Sequence, residues 1–353
     1  MSGGVDSSVC AKILLDKGYE VEGFFMKNWD YGVDGDDCPS KIEFEDAKKV
    51  GEKLGIKVHG FSYIYDYKEK VFDVFLEEIK KGHTPNPDIL CNREIKFNVF
   101  LNEVKSLLNI DTIATGHYAK IQKRGEQFIL GKPKDGNKDQ TYFLHALNQY
   151  QLSHSLFPLA EYSKDEIRQI ARDAGLPVSE KKDSTGICFI GKNKFDEFIS
   201  KYLEAVPGNI VSENGKVLGK HKGLICYTIG QRKGIGLGGG LGENLNAWYV
   251  AKKDVKKNEL TVVQDTNHPL LMSQTITATQ PHWILETAPK VGDQLEAQVR
   301  YRQKHQSCEV VSVGESTIVV RFVHPQRAVA IGQSLVLYEN EQCLGGGVIS
   351  DYR

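Results

Sequence analysis

The sequence predicts an α/β chain built on a parallel sheet, followed by a small central unit and a C-terminal antiparallel β-barrel. Three observations carry this. Up to about residue 118, apolar stretches of strand character alternate with stretches of helical periodicity, the pattern of a parallel sheet covered on both faces. The chain opens on a glycine loop, Ser2-Gly3-Gly4-Val5-Asp6-Ser7-Ser8, that runs straight into a helix. After Leu203 the helical periodicity stops, Pro207-Gly208 marks a break, and short strands and turns follow to the end. The expected units are 1–205, 206–270 and 271–353.

The first helix is read from Val9, Ile13 and Leu14, with Gly18 as its stop. Asp6, Ser7 or Ser8 is expected to cap it. A glycine loop entering a helix N-terminus is a phosphate cradle, because free N–H groups and the helix dipole both favour an anion. It is not a Walker A loop, which ends in Gly-Lys-Ser/Thr. Such a loop normally leaves the end of a parallel strand. None precedes it here, so the first strand of the sheet is expected to be missing.

A strand follows over 19–29, then a helix over 41–54 with Pro39 before it and Gly55 after it. A strand is expected over 56–61 and a helix over 67–80, with Val71, Val74, Phe75 and Ile79 on one face. A further helix covers 93–108 and a strand 111–115. Ligands of such sheets bind beyond the carboxyl ends of the strands, where the glycine loop, Met26 and Gly116-His117 would lie. Met26 ends an apolar strand and reads equally as core or as an adenine contact. The segment 120–130 is a hairpin turning at Arg124-Gly125. Ser163-Lys164-Asp165-Glu166 is a capping box for a helix closed by Gly175 and Pro177. Alternating runs over 295–301 and 318–322 suggest the small antiparallel barrel.

With 353 residues, 40% apolar content and 26% charge, the composition is that of an ordinary globular protein of two or three domains. No apolar run approaches the roughly 20 residues of a membrane helix. No signal or transit segment leads the chain, and the cytoplasm is the expected compartment. A net charge of −1 says nothing global about nucleic acid, so any basic surface must be local. Locally, residues 216–257 hold nine Lys/Arg against two Asp/Glu, including Arg232-Lys233 before a glycine-rich stretch. That stretch reads as a phosphate-backbone contact or as a solvated loop. Seven cysteines, an odd number without a CxxC pair, argue against a disulfide framework and a structural zinc site. No metal ligands are assigned.

Two cysteines stand out. Cys91 ends Thr84-Pro85-Asn86-Pro87-Asp88-Ile89-Leu90-Cys91, a proline-stiffened loop expected to end just before a helix, whose N-terminus would favour a thiolate. Asp88 could serve as acid or base. Cys188 lies in Lys181-Lys182-Asp183-Ser184-Thr185-Gly186-Ile187-Cys188, a lysine- and glycine-bearing loop that also suits a thiolate. Two buried filler thiols remain the competing reading.

Taken together, SGGVDSS, GFFMKNW, TPNPDILCNREIKF, ATGHYAK, NKDQTYFL, KKDSTGICFIG, TIGQRKGIG, RYRQ and CLGGGVI, in this order, closely resemble the tRNA-specific 2-thiouridylase (MnmA/TrmU) family of the PP-loop pyrophosphatases. SGGxDS alone marks the superfamily, whose nucleotide-binding domain is Rossmann-like; TPNPDILCN with STGICFIG is specific to this family. The resemblance implies that ATP, with magnesium, adenylates the position-2 oxygen of the wobble uridine in tRNAs for Lys, Glu and Gln. Cys188 matches the persulfide carrier. Cys91 matches the partner that ends in a disulfide with it, and Asp88 matches the acid/base. Ser2, Gly3, Gly4, Val5, Asp6, Ser7, Met26 and Gly116 match ATP contacts. Asn86, Pro87 and Asp88 match the stretch touching the target base. His117, Lys138, Asp139, Gln140, Arg300, Tyr301 and Gln333 match tRNA contacts, with the central unit and the barrel holding the tRNA. The target base must be splayed out to reach such a site. The implied partners are tRNA and a sulfur donor, a cysteine desulfurase or sulfur-relay protein. The competing expectations are another AMP-forming PP-loop ligase and a non-catalytic tRNA-binding homologue.

Overall fold

The computed structural model describes residues 1–30, 38–182, 189–190, 195–238 and 246–353. The glycine loop leads into α1 (Val5–Asp16), and Lys17 and Gly18 close it. The strand expected next is shorter, β1 (Gly23–Lys27). α2 (Pro39–Leu54) begins two residues earlier than its apolar periodicity, because Pro39 fits the first helical turn. Gly55 ends it in the left-handed conformation. β2 (Val58–Ser62) pairs parallel with β1, in register Gly23 to Val58 through Lys27 to Ser62.

Two long helical runs follow. α3 covers 64–80, with the turns Lys68–Phe72 π-helical. α4 covers 87–108 as Pro87–Leu90, a π-helical Cys91–Phe100 and Leu101–Leu108. The helix expected from residue 93 therefore starts six residues sooner, because Pro87 is preorganised for the first helical position and Asn86 caps it. β3 (Ile113–Ala114) pairs parallel with β6 (Ser155–Leu156). Among the described residues, the β1–β2 and β3–β6 pairs form separate sheets. The ammonium of Met1 donates to the carbonyl of Phe24 in β1. Between β3 and β6 lie the expected hairpin, β4 (Lys120–Arg124) and β5 (Gln127–Gly131), and short helices Thr141–Leu144 and Gln149–Ser153. α5 (Lys164–Asp173) has the predicted capping box: Ser163 accepts from Glu166 N–H at 3.3 Å, and Glu166 accepts from Ser163 N–H at 2.6 Å. α1 buries Val5, Val9, Ile13 and Leu14 against Ile167 and Ala171 of α5, Val50 of α2 and Tyr118.

The central unit is a four-stranded sheet of β7 (Gly208–Ser212), β8 (Val217–His221), β9 (Trp248–Asp254) and β10 (Glu259–Gln264), in the order β8-β7-β10-β9. The C-terminal strands are β11 (Met272–Trp283), β12 (Gln294–Gln298), β13 (Gln306–Val313), β14 (Thr317–Arg327), β15 (Ser334–Glu339) and β16 (Gln342–Tyr352). They run β11-β14-β13-β12-β15-β16 with β16 returning to β11, a closed antiparallel six-stranded barrel. The strand expected over 295–301 stops at Gln298, and Arg300-Tyr301 lie in a turn. The hairpin adds to this sheet, because β5 pairs Leu130 and Gly131 with Cys343 and Gln342 of β16. No described helix is long and apolar enough to cross a membrane.

Candidate functional site

The glycine loop folds back on itself. Ser2 N–H donates to Ser7 Oγ at 3.1 Å, the Ser2 and Ser7 hydroxyls lie 3.1 Å apart, and Ser7 Oγ–H donates to the Gly4 carbonyl at 3.2 Å. Gly4, extended at φ −106° and ψ 166°, is the N-cap, and no side chain caps the helix. Asp6, Ser7 and Ser8, expected as caps, lie instead inside the first turn. A glycine cap keeps any side-chain oxygen away from the first-turn N–H groups, an arrangement suited to an anion. Gly116, after β3, packs on this turn. A β-carbon there would stand 2.8 Å from the Asp6 carbonyl carbon and 2.9 Å from Ser7 N. Asp6 Oδ1 is held by Tyr118 O–H at 2.9 Å and by Lys164 Nζ at 2.7 Å. Met26, one residue from the end of β1, is half-buried at the edge of the main core.

The second half of the site begins at Thr84. Its N–H donates to the Ile331 carbonyl at 2.8 Å, and its carbonyl accepts from Gln333 Nε2 at 2.7 Å. Its hydroxyl meets that of Thr228 at 2.8 Å. Barrel and central unit thus both fix the strand of chain that leads into Asn86-Pro87-Asp88. A cleft of about 440 Å³ opens beside this junction, lined by His83, Thr84, Thr228, Gln231 and Lys233. Asn86 Oδ1 accepts from Asp88 N–H at 3.1 Å and so caps α4. Burial pushes the Asp88 carboxyl above the ordinary aspartate range, and the Lys96 ammonium partly offsets this. Burial also holds the His117 imidazole well below its ordinary value, and the same Lys96 adds to the effect. His117 Nδ1 meets Thr115 Oγ1 at 2.7 Å, and its ring packs on Phe97 and Phe157.

Cys91 does not stand before the helix but past its first turn, 3% exposed. The dipole's pull on a thiol fades beyond the first turn, so the expected N-terminal activation does not apply there. Cys188 lies outside the described residues. Its neighbour Phe189 is fully buried among Phe72, Phe75, Trp29 and Phe198, with ring centroids 5.2 to 5.5 Å away, in the cluster that also contains Cys91. Upstream of that segment, Lys181 Nζ donates to the Gly3 carbonyl at 2.8 Å and pairs with Asp46 at 2.9 Å.

The remaining candidates divide. Tyr301 reaches the Cys91 helix: its ring lies 4.2 Å from that of Phe143, whose carbonyl accepts from Asn92 Nδ2 at 3.2 Å. Arg300 donates to the carbonyls of Ala328 (2.9 Å) and Ile229 (3.4 Å), joining barrel and central unit. Gln140 accepts from Tyr118 N–H at 2.9 Å. Asp139 faces inward, taking Thr141 N–H at 2.9 Å and Thr141 O–H at 2.6 Å, with His305 at 3.7 Å. Lys138 is half-buried. Arg232 and Lys233 are exposed. Sequence reasoning missed Lys96, Thr84, Lys164 and Tyr118. Their roles come from contacts between distant segments, which no local pattern encodes.

Comparison with known proteins agrees with this arrangement. The family described as tRNA methyl transferase HUP domain matches residues 1–192, the tRNA methyl transferase PRC-barrel domain 196–264, and the aminomethyltransferase beta-barrel domain 273–349. The chain is 64% identical to tRNA-specific 2-thiouridylase MnmA 2 of Aliarcobacter butzleri (strain RM4018), over 100% of this chain and 97% of that one. It is 51% identical to tRNA-specific 2-thiouridylase MnmA of Methylobacillus flagellatus, over 99% and 97%. It is 50% identical to that of Vesicomyosocius okutanii, over 100% and 96%. With identity of this level over essentially its whole length, the chain belongs to the tRNA-specific 2-thiouridylase family.

Proposed function

We propose that the chain uses ATP to activate the position-2 oxygen of a tRNA wobble uridine and replaces it with sulfur from a persulfide on Cys188. The observation that carries this is the contact of Gly116 with Asp6 and Ser7. It joins the anion cradle to the turn bearing His117, which shares the influence of Lys96 with Asp88. The cradle of Ser2, Gly3, Gly4, Val5, Asp6 and Ser7 takes the phosphates, with Met26 and Gly116 alongside the nucleotide. Magnesium is expected to arrive with the triphosphate, and Asp6 is the carboxylate at the cradle.

The uridine oxygen attacks the α-phosphorus of ATP, and pyrophosphate leaves. The terminal sulfur of the Cys188 persulfide attacks the activated carbon, and AMP carries the oxygen away. The Cys91 thiolate then attacks the Cys188 sulfur, forming the Cys91–Cys188 disulfide. The uridine keeps the transferred sulfur, which is reduced as the two thiols are oxidised. A thiol reductant resets the pair. Asp88, neutral over a wider pH range than an exposed aspartate, moves a proton in these steps. Asn86, Pro87 and Asp88 meet the base, while His117, Lys138, Asp139, Gln140, Arg300, Tyr301 and Gln333 contribute to tRNA binding. The units 1–205, 206–270 and 271–353 divide into a catalytic part and two tRNA-holding parts. The sulfur is delivered by a cysteine desulfurase or relay protein, and the reaction is placed in the cytoplasm, where thiols stay reduced.

The test is mass spectrometry of tRNA nucleosides after incubation with ATP, magnesium and a persulfide donor. The expected product is 2-thiouridine, absent when ATP is omitted. A methylated uridine, or AMP release with unmodified tRNA, would overturn the reading.

A further inference from the structure

The glycine loop is gripped from outside by the segment built on α5. Lys164, at the start of that helix, holds Asp6. Lys181, eight residues beyond its end, holds Gly3. Lys181 is aimed by a fixed stretch of chain. Leu176 and Val178 are buried against the α1 core, Lys181 N–H donates to the Val178 carbonyl at 2.9 Å, and the Arg168 guanidinium donates to the carbonyls of Ser179 and Lys181 at 3.5 and 3.3 Å. Among the described residues, the ammonium donates to the Gly3 carbonyl at 2.8 Å and to Asp46 Oδ2 at 2.9 Å. Asp46 belongs to α2, and so does Glu43, whose backbone carbonyl would overlap any β-carbon at Gly3. Gly3 itself has a positive φ of 66°. The loop is thus confined by α2 on this side, with Lys181 bridging the two.

A trans peptide carries its C=O and the following N–H in opposite directions. Holding the Gly3 carbonyl toward Lys181 therefore turns the Gly4 N–H the other way. Two adjacent glycines leave this peptide free to flip unless something holds it. We infer that Lys181 is a positioning residue for phosphate binding: through the Gly3 carbonyl it fixes the Gly3–Gly4 peptide so that the Gly4 N–H is presented to the triphosphate. The inference rests on the proposed role of the glycine loop as the ATP cradle.

The experiment measures binding of ATP, inorganic pyrophosphate and adenosine by titration calorimetry, without tRNA, to the full chain and to Lys181→Met and Lys181→Arg. Lys181→Met is expected to weaken ATP and pyrophosphate about tenfold, the order of one hydrogen bond involving a charged group, and to leave adenosine unchanged. Lys181→Arg, which can still donate to the carbonyl, is expected to recover most of the loss. Melting temperatures of the unliganded proteins check folding, and Lys181→Gln carries the same test if the Met variant does not fold. Unchanged ATP affinity in a folded neutral variant, or equal weakening of adenosine, overturns the inference. Failure of the parent chain to bind ATP or pyrophosphate overturns the cradle reading instead.

Discussion

The side-chain amide of Gln333, in the barrel, donates to the backbone carbonyl of Thr84 at 2.7 Å, two residues before the cap of the Asp88 and Cys91 helix. A residue that resemblance alone would assign to tRNA contact is thereby a tether on the segment that leads into Asn86-Pro87-Asp88. Gln333→Leu is expected to lower the thiolation rate about five- to tenfold, the order of one buried hydrogen bond, with tRNA affinity changed less than about threefold. Single-turnover kinetics and a binding titration separate the two. A loss carried entirely by tRNA affinity would make Gln333 a contact and not a tether.

The proposed proton-moving role of Asp88 would tie activity to stability. Its folded carboxyl titrates above the ordinary range because it is buried. Well below that range, folded and unfolded chains both hold the neutral acid, and the residue makes no difference. As pH rises through the raised folded value, the folded chain must carry a partly desolvated carboxylate that the unfolded chain hydrates freely, so stability falls. Asp88→Asn is expected to melt higher than the parent at neutral pH, the gain shrinking toward about pH 4. Thiolation should drop about 100-fold or more if the proton is moved there. A melting difference that does not vary with pH would count against a buried, titrating Asp88.

On the proposed mechanism, sulfur chemistry belongs to the two cysteines and nucleotide chemistry to the glycine loop. Cys91→Ser and Cys188→Ser are each expected to abolish 2-thiouridine formation while tRNA-dependent AMP formation stays measurable. If a folded variant of either loses both, the division fails.

Arg232 and Lys233 are exposed, and Lys233 lines the cleft at Thr84. Reversing both charges is expected to weaken tRNA binding and flatten its salt dependence, by roughly 0.7 to 0.9 in log–log slope per lost phosphate contact. An unchanged slope would return these residues to the role of solvated surface.

Much of this was legible in the sequence because it is local. The capping box at Ser163 and Glu166, the hairpin turning at Gly125 and the glycine loop entering α1 each depend on residues within a few positions. The helix at Cys91 is longer than its pattern implies, because the proline pair of residues 85–87 resembles a loop, whereas Pro87 is a helix start. The end of β12 is hidden at Arg300-Tyr301, whose alternation continues past the point where pairing stops. The tethers at Thr84 and Gly3 could not be read at all. They join residues 249 and 178 positions apart, and only the folded chain brings those together.

The pairing of β5 with β16 has a consequence for the order in which the molecule can be completed. Leu130 and Gly131 are made early in synthesis, yet their partners Cys343 and Gln342 are among the last dozen residues. Until the chain has been made past Cys343, that stretch of the hairpin presents unpaired backbone groups, the kind of open edge that recruits foreign strands. A chain stopped short of Gln342 would lack both the seam of the barrel, β16 against β11, and the cover on the hairpin. Termination before Gln342 should therefore yield an aggregation-prone product, and completion of β16 seals two units at once.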